Sequence, residues 1–266
     1  MTLPDAVLLG IIQGLTEFLP VSSSGHLAVF QYLLGLTQPM LTFDVLLHVG
    51  SLIAILAFFR KQIIELAISV FAPSREPGSR RLLGLIIVAS IPTALIGLGY
   101  KDFVETQFES PAAVGMFWLL TAGLLFGVSK MMQGSKQLRD ITIPDALLIG
   151  LFQGVAILPG VSRSGATLVM GMLCGLHPKA AANFSFLIAI PAILGAIFLQ
   201  RHDLAGVMGP DGTATIVGTV VSMIVSYLAI WILMKLLQRR VIQPFAWYLL
   251  FASALVLFAL KTGFHI

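Results

Sequence analysis

Two polar stretches interrupt an otherwise apolar chain and carry residue types that could act on an anionic group. The first is QGLTEFLPVSSSGH, residues 13–26, and the second is LPGVSRSGAT, residues 158–167. An arginine at membrane depth is costly and commonly marks a functional site, and its planar guanidinium suits phosphate oxygens. Arg163 is therefore predicted to bind an anion, with a purely structural ion pair to Glu17 as the alternative.

The first stretch offers groups for proton transfer and nucleophilic attack. Glu17 could accept a proton, or it could bind a hard cation such as Mg²⁺ or Ca²⁺ together with Gln13, four residues away on the same helix face. Ser23 or His26 could attack phosphorus, and His26 could instead activate the hydroxyl of Ser23. We predict that Glu17, Ser23, His26 and Arg163 are catalytic.

Small residues around these groups add hydroxyls and backbone N–H groups that could bind the same anion. A serine before an apolar helix is often only an N-cap, but three in succession exceed what a cap requires. Asp44 and His48 either extend a polar path to the surface or form an interfacial pair at a helix end. The residues predicted to bind the substrate are Gln13, Ser22, Ser24, Gly25, Gly160, Ser162, Ser164, Gly165 and Thr167.

The remainder of the chain has the composition of a membrane protein. Of its 266 residues 58% are hydrophobic and 11% are charged, whereas about a quarter of the residues in a soluble domain are charged. Apolar runs of roughly 17–25 residues recur, which suffices to cross a hydrocarbon core. This predicts an all-α polytopic membrane protein. The net charge of +4 indicates a loop bias toward one side of the membrane rather than binding of nucleic acid.

An internal repeat divides the chain into two halves. PDAVLLGIIQG at 4–14 recurs as PDALLIGLFQG at 144–154, and the same offset of 140 aligns Ser23 with Arg163. We expect repeats over 1–138 and 139–266, each starting with an interrupted apolar stretch. Segment 62–72 resembles an amphipathic surface helix. The interrupted stretches are 4–34 and 144–175, and the six continuous spans are 42–59, 82–100, 112–131, 181–199, 215–236 and 244–261.

The interrupted stretches are predicted to form re-entrant helix–loop–helix hairpins. Three spans per half are an odd number, so the second half must have inverted topology, and the two turns should meet near the membrane midplane. Of the 16 basic residues, twelve fall on one side, three on the other, and Arg163 lies in a hairpin. The positive-inside rule then places both termini and the opening of the first hairpin on the outer side.

Together the two polar stretches resemble the paired signature of the bacterial undecaprenyl-diphosphate phosphatases, the bacitracin-resistance family. The resemblance extends over chain length, spans, hairpins and both motifs. It implies that Gln13 and Glu17 correspond to the acidic element of the family, and that Ser23 and His26 correspond to its serine and histidine. It also implies that residues 159–167 are its Pro-Gly-x-Ser-Arg-Ser-x-x-Thr element. Many members have glutamate in place of Gln13, which weakens a two-carboxylate cation site here.

The resemblance implies removal of the terminal phosphate from a polyprenyl diphosphate, which yields the monophosphate lipid carrier of peptidoglycan synthesis and confers bacitracin resistance. It also implies a divalent cation, a bacterial inner-membrane location and a substrate that arrives from the outer leaflet. Our hypothesis has Ser23 as nucleophile, His26 assisting and Glu17 handling protons, although His26 could be the nucleophile. The alternative is a polyprenyl-phosphate transporter, because inverted repeats with broken helices are typical of transporters. The sequence leaves open whether the protein is a homodimer.

Overall fold

A computed structural model describes residues 1–36, 40–72, 77–100, 111–130, 134–200 and 212–262. Three of the basic residues used in the topology prediction, Arg75, Lys101 and Arg201, lie outside these ranges, as does the last residue of the predicted span 112–131.

Within the described residues the chain is helical, and this part of the chain contains no β-strand. A short 3₁₀ helix, Leu138–Asp140, lies between the two halves. The prediction of an all-α fold is confirmed. The α-helices are α1 Leu3–Phe18, α2 Ser23–Leu33, α3 Leu41–Phe58, α4 Arg60–Phe71, α5 Pro77–Gly99, α6 Pro111–Ser129, α7 Ile143–Val155, α8 Arg163–Leu173, α9 Pro178–Leu199, α10 Gly212–Gln238 and α11 Gln243–Lys261.

Five of these helices, α5, α6, α9, α10 and α11, are long and apolar enough to cross a membrane. A sixth span results if α3 and α4, which meet at an angle of 81°, are counted together. The protein is therefore a multi-pass membrane protein, as predicted. Each predicted span coincides with an observed helix to within a few residues. The largest difference is α5, which starts five residues before the predicted position 82 because the helix continues beyond its apolar part to Arg80 and Arg81.

The two interrupted stretches each fold as two short helices joined by a turn. In the first, α1 ends at Phe18, and Leu19 is extended with ψ 143°, as expected for a residue that precedes proline. In the second, α7 ends at Val155, and Gly160 in the following turn has φ +93°, a conformation that favours glycine. At about 24 Å for α1 and about 20 Å for α7, neither helix is long enough to cross the hydrocarbon core alone.

Small residues pack α1 and α7 closely against long helices. A Cβ atom added at Gly10 would lie 2.6 Å from the backbone oxygen of Gly218 in α10, and one at Gly14 would lie 2.9 Å from that of Ser222. A Cβ atom added at Gly150 of α7 would likewise collide with the backbone of Ala89 in α5. Small residues at such spacings permit close approach of helices in membranes. These contacts hold α1 against α10 and α7 against α5, and thereby position the polar residues at the ends of α1 and α7.

Candidate active site

Glu17 is the centre of a polar cluster in which residues of four helices meet. It lies in the last turn of α1 and is only 5% exposed. Arg163, the first residue of α8, donates from Nη2 to Glu17 Oε1 at 2.6 Å. Ser23, the first residue of α2, donates its hydroxyl to Glu17 Oε2 at 2.6 Å. The structure therefore brings three of the four predicted catalytic residues into direct contact.

The starts of α2 and α8 have the same local design. Ser22 and Ser162 are the N-cap residues, and their hydroxyls accept from the backbone N–H groups of Gly25 and Gly165 at 3.5 Å and 3.0 Å. In each helix the residue that contacts Glu17 is therefore the first one, where the helix dipole is positive. Helix N-termini of this kind stabilise anions, which suits both a carboxylate and a phosphate.

Two further side chains contact the Glu17 carboxylate. Gln13 donates from Nε2 to Glu17 Oε2 at 3.0 Å, and His48 Nε2 lies 3.5 Å from the same oxygen. His48 Nδ1 lies 2.7 Å from the backbone oxygen of Asp44, and the Asp44 carboxylate accepts from Gln31 at 2.6 Å. His48 therefore belongs to the cluster around Glu17, and a polar path from Asp44 to the outer surface stays a prediction.

Within the part of the chain that the structure describes, two buried polar atoms at this cluster have no hydrogen-bond partner. They are Nη1 of Arg163, a donor, and Oε1 of Gln13, an acceptor. Buried polar groups are nearly always paired, so unpaired ones within a site indicate a place where a ligand can bind. Arg163 Nη1 is suited to an anionic oxygen, and Gln13 Oε1 is suited to a cation or a donor.

His26 is close in sequence but forms no hydrogen bond with the other three catalytic candidates. Its Nδ1 lies 2.7 Å from the backbone oxygen of Ser22, and its Nε2 lies 2.7 Å from the hydroxyl of Tyr248 in α11. The ring is 2% exposed and packs between Trp118 and Tyr248, with centroids 4.5 Å and 5.6 Å away. Sequence reasoning missed Trp118 and Tyr248, because both belong to apolar helices and carry no local polar signal.

Several predicted substrate-binding hydroxyls form hydrogen bonds within and between the two hairpins. Ser164 donates to the backbone oxygen of Leu19 at 3.0 Å, which links the second hairpin to the first. The hydroxyls of Ser162 and Ser164 lie 3.2 Å apart, and those of Ser22 and Ser24 lie 3.5 Å apart. These residues organise the turns, and their contact with a ligand stays a prediction.

The remaining predicted binding residues also shape the turns. Thr167 donates to the backbone oxygen of Arg163 at 2.8 Å. A Cβ atom at Gly25 would lie 2.6 Å from Trp118 Nε1, and one at Gly165 would lie 3.3 Å from Pro20 of the other hairpin. Glycine at position 25 allows the first hairpin to pack closely on α6, and glycine at position 165 allows the two hairpins to pack on each other.

The oxygen ligands at the cluster fit a divalent cation only if the substrate completes its coordination. Among the described residues no group of three or more His, Cys, Asp or Glu side chains could hold a metal ion. Glu17 contributes a carboxylate and Gln13 an unpartnered amide oxygen. Mg²⁺ commonly binds through one or two carboxylates together with substrate phosphates, and this pair meets that requirement.

These features define a polytopic membrane protein with a polar cluster around a buried carboxylate where two helix–turn–helix hairpins meet. The family model of the bacitracin resistance protein BacA matches residues 6–255, and the chain belongs to this family. The undecaprenyl-diphosphatase of Carboxydothermus hydrogenoformans is 39% identical, covering 97% of this chain and 98% of the relative. The undecaprenyl-diphosphatase of Rubrobacter xylanophilus is 44% identical over 96% and 97%. That of Desulfosudis oleivorans is 43% identical over 92% and 93%.

Proposed function

We propose that this protein removes the terminal phosphate of undecaprenyl diphosphate and produces undecaprenyl phosphate and inorganic phosphate. The observation that carries the proposal is the Glu17–Ser23–Arg163 cluster, in which Glu17 is buried and Arg163 Nη1 has no hydrogen-bond partner among the described residues. Relatives aligned over nearly the whole chain are named undecaprenyl-diphosphatase, and none of the three described above is named a transporter. The phosphatase is therefore favoured over the polyprenyl-phosphate transporter.

The geometry supports Ser23 as nucleophile and Glu17 as its base. The Ser23 hydroxyl already donates to Glu17, so Oγ can attack the terminal phosphorus while its proton passes to the carboxylate. The bond from that phosphorus to the bridging oxygen breaks, and undecaprenyl phosphate leaves. Water then cleaves the phosphoserine to release phosphate. This assignment differs from the expectation that His26 assists, because both nitrogens of His26 have other partners.

Arg163 is assigned to bind the terminal phosphate. Its Nη1 is free to donate to a phosphate oxygen while Nη2 still contacts Glu17. A guanidinium that stabilises charge as it develops on the phosphoryl group contributes directly to rate acceleration. Arg163 contacts Glu17 Oε1, which leaves Oε2 to accept the proton of Ser23.

A divalent cation is proposed to bind through Glu17 and Gln13 Oε1 once the diphosphate is present. When bound, such an ion would neutralise negative charge on the phosphates. The cation and Arg163 would have separate roles. Glu17 and Gln13 would hold the cation, and Arg163 would bind the phosphate directly. All of these side chains come from one chain, so a homodimer is not required for the site.

We further propose six spans and two re-entrant hairpins arranged as inverted repeats over 1–138 and 139–266. The same capping box joins Thr2 to Asp5 and Thr142 to Asp145, at the offset of 140. Helix α1 packs on α10 and α7 packs on α5, which are equivalent pairs under that repeat. The distribution of basic residues supports a site and termini on the outer side of the bacterial inner membrane.

The test is phosphate release from undecaprenyl diphosphate by the purified protein in detergent. An enzyme performs this reaction without a sealed membrane, whereas transport does not release phosphate. Ser23→Ala is expected to reduce the rate to background because the nucleophile is lost, while Ser129→Ala at the end of α6 retains the wild-type rate. Gel filtration establishes that both variants are folded. Wild-type turnover in Ser23→Ala would refute the assignment of the nucleophile.

A further inference from the structure

The buried His26 and the partly exposed Tyr248 form a hydrogen-bonded pair that the proposed reaction does not use. The backbone oxygen of Ser22 can only accept, so His26 Nδ1 donates to it, and Nε2 of the neutral ring then accepts from the Tyr248 hydroxyl. Nε2 is the only nitrogen of that ring that could take a proton from a nucleophile. It is occupied by Tyr248 and is therefore not directed at Ser23, whose proton is donated to Glu17.

The residue to which His26 is bonded has an unusual backbone conformation. Ser22 has φ +70°, which side-chain-bearing residues rarely adopt and which persists only when the surrounding structure holds it. Its backbone oxygen accepts twice from His26, from the backbone nitrogen at 3.3 Å and from Nδ1 at 2.7 Å. Ser22 directly precedes Ser23. The backbone conformation of Ser22 therefore determines where the hydroxyl of Ser23, the proposed nucleophile, points.

The second hairpin provides an internal comparison. Ser162 occupies the equivalent N-cap position and has an ordinary φ of −76°, although its hydroxyl makes the same capping bond. Ala166 stands there in place of His26, and among the described residues no imidazole is hydrogen-bonded to the Ser162 oxygen. The capping motif alone therefore does not require the positive φ. The distinguishing feature of the first hairpin is the bond from His26.

We infer that His26 and Tyr248 are positioning residues that hold the Ser22 turn and thereby orient Ser23 toward Glu17. This inference rests on the proposed function. Tyr248 fixes the ring of His26 in the tautomer that donates to Ser22, and the Trp118 ring packs against it at an interplanar angle of 34°. Helix α11 of the second half thus sets the geometry of the nucleophile in the first half.

Two substitutions of His26 separate positioning from proton transfer. The amide nitrogen of Asn can occupy the place of Nδ1 and still donate to Ser22, whereas Gln can imitate only Nε2. We expect phosphate release by His26→Asn to exceed that by His26→Gln by about tenfold or more, since small misplacements of reacting groups reduce rates by up to about a hundredfold. Equal loss in both variants would overturn the inference.

Tyr248→Phe provides a second test that keeps the stacked ring and removes only the hydroxyl. We expect kcat to fall by about tenfold with little change in KM, because the substrate still binds but the nucleophile is less well oriented. The pH at which the rate falls on the acid side, the acid limb of the pH–rate profile, should not change, because Glu17 and not His26 is the proposed base. The matched control is Tyr227→Phe in α10, which contacts Phe58 and lies outside the cluster. Unchanged kcat in Tyr248→Phe, or a displaced acid limb, would overturn the inference.

The outcomes also distinguish this inference from the proposed function. A wild-type protein that releases no phosphate contradicts the function itself. A wild-type protein that is active while Tyr248→Phe is equally active contradicts only the positioning role. Thermal unfolding of each variant in detergent verifies that a loss of activity does not result from a loss of fold.

Discussion

At the scale of residues, the burial of Glu17 explains why so many polar groups converge on it. A buried carboxylate must be paired and hydrogen-bonded, and here Arg163, Ser23, Gln13 and His48 all contact it. Removing one partner of a buried ion pair leaves an uncompensated charge and destabilises a protein by about 3–5 kcal/mol. Truncation of Arg163 would therefore lower stability and activity together, and a charge-conserving substitution is more informative.

Arg163→Lys is predicted to retain the fold and to lose most of the activity. Lysine keeps the charge beside Glu17, but it cannot present two donors in the fixed geometry of a guanidinium. We expect kcat/KM to fall by about 10²–10³-fold, as for the loss of one donor to developing charge. Arg139→Lys, at an exposed position, is the control. Phosphate release close to the wild-type rate would show that the free Nη1 does not bind substrate.

Gln13→Glu is predicted to strengthen dependence on a divalent cation. The change places a second carboxylate beside Glu17, and more negative ligands increase cation affinity. We expect half-maximal phosphate release at about tenfold lower Mg²⁺, and a lower rate than wild type in chelator because the two carboxylates then repel one another. Gln137→Glu on the surface is the control. An unchanged Mg²⁺ requirement would argue against a cation at Gln13.

The contact of Ser23 and Arg163 with one carboxylate could be anticipated from sequence, whereas the direction of His26 could not. The offset of 140 aligns Ser23 with Arg163, and both start a helix that reaches Glu17. His26 depends on Tyr248, which lies 222 residues further along the chain. A side-chain rotamer set by so distant a partner leaves no local pattern in the sequence.

At the scale of elements, strong local signals explain why most helices could be located in advance. The capping boxes at Thr2 and Thr142 and the prolines in the two turns mark helix boundaries chemically. Hydropathy predicts the start of α5 five residues too late, because an apolar run ends at the membrane boundary whereas the helix continues beyond it. Helix partners are less predictable, since small residues that allow close packing resemble ordinary apolar positions until their neighbours are known.

Gly150→Ala is predicted to weaken the packing of α7 on α5. An added Cβ would collide with the backbone of Ala89, which cannot rotate away as a side chain could. Overpacking of this kind destabilises by about 1–3 kcal/mol. A lower unfolding temperature in detergent is expected. Gly123→Ala in α6, where a Cβ would have open space, is the matched control. Equal unfolding temperatures for Gly150→Ala and the control would contradict the observed packing.

At the scale of the whole molecule, two similar halves contribute different chemistry to one site. The first half supplies Glu17 and Ser23, and the second supplies Arg163. Ser164 of the second hairpin also donates to the Leu19 oxygen of the first, so the two turns are bonded directly. In the proposed inverted arrangement, the two hairpins start on opposite sides of the membrane and meet near its centre. In the proposed orientation of the first hairpin, the site opens to the outer side.

Cysteine labelling tests that orientation. The experiment uses a Cys174→Ser background with one added cysteine, either Thr262→Cys or Arg239→Cys. Both positions are exposed and directly follow α11 and α10, and the proposed topology places them on opposite sides of the membrane. A membrane-impermeant maleimide added to intact spheroplasts should label position 262 and should label position 239 only after permeabilisation. Both proteins should retain phosphate release, which verifies their fold. The reverse labelling pattern would place the opening of the first hairpin, and with it Ser23, on the cytoplasmic side.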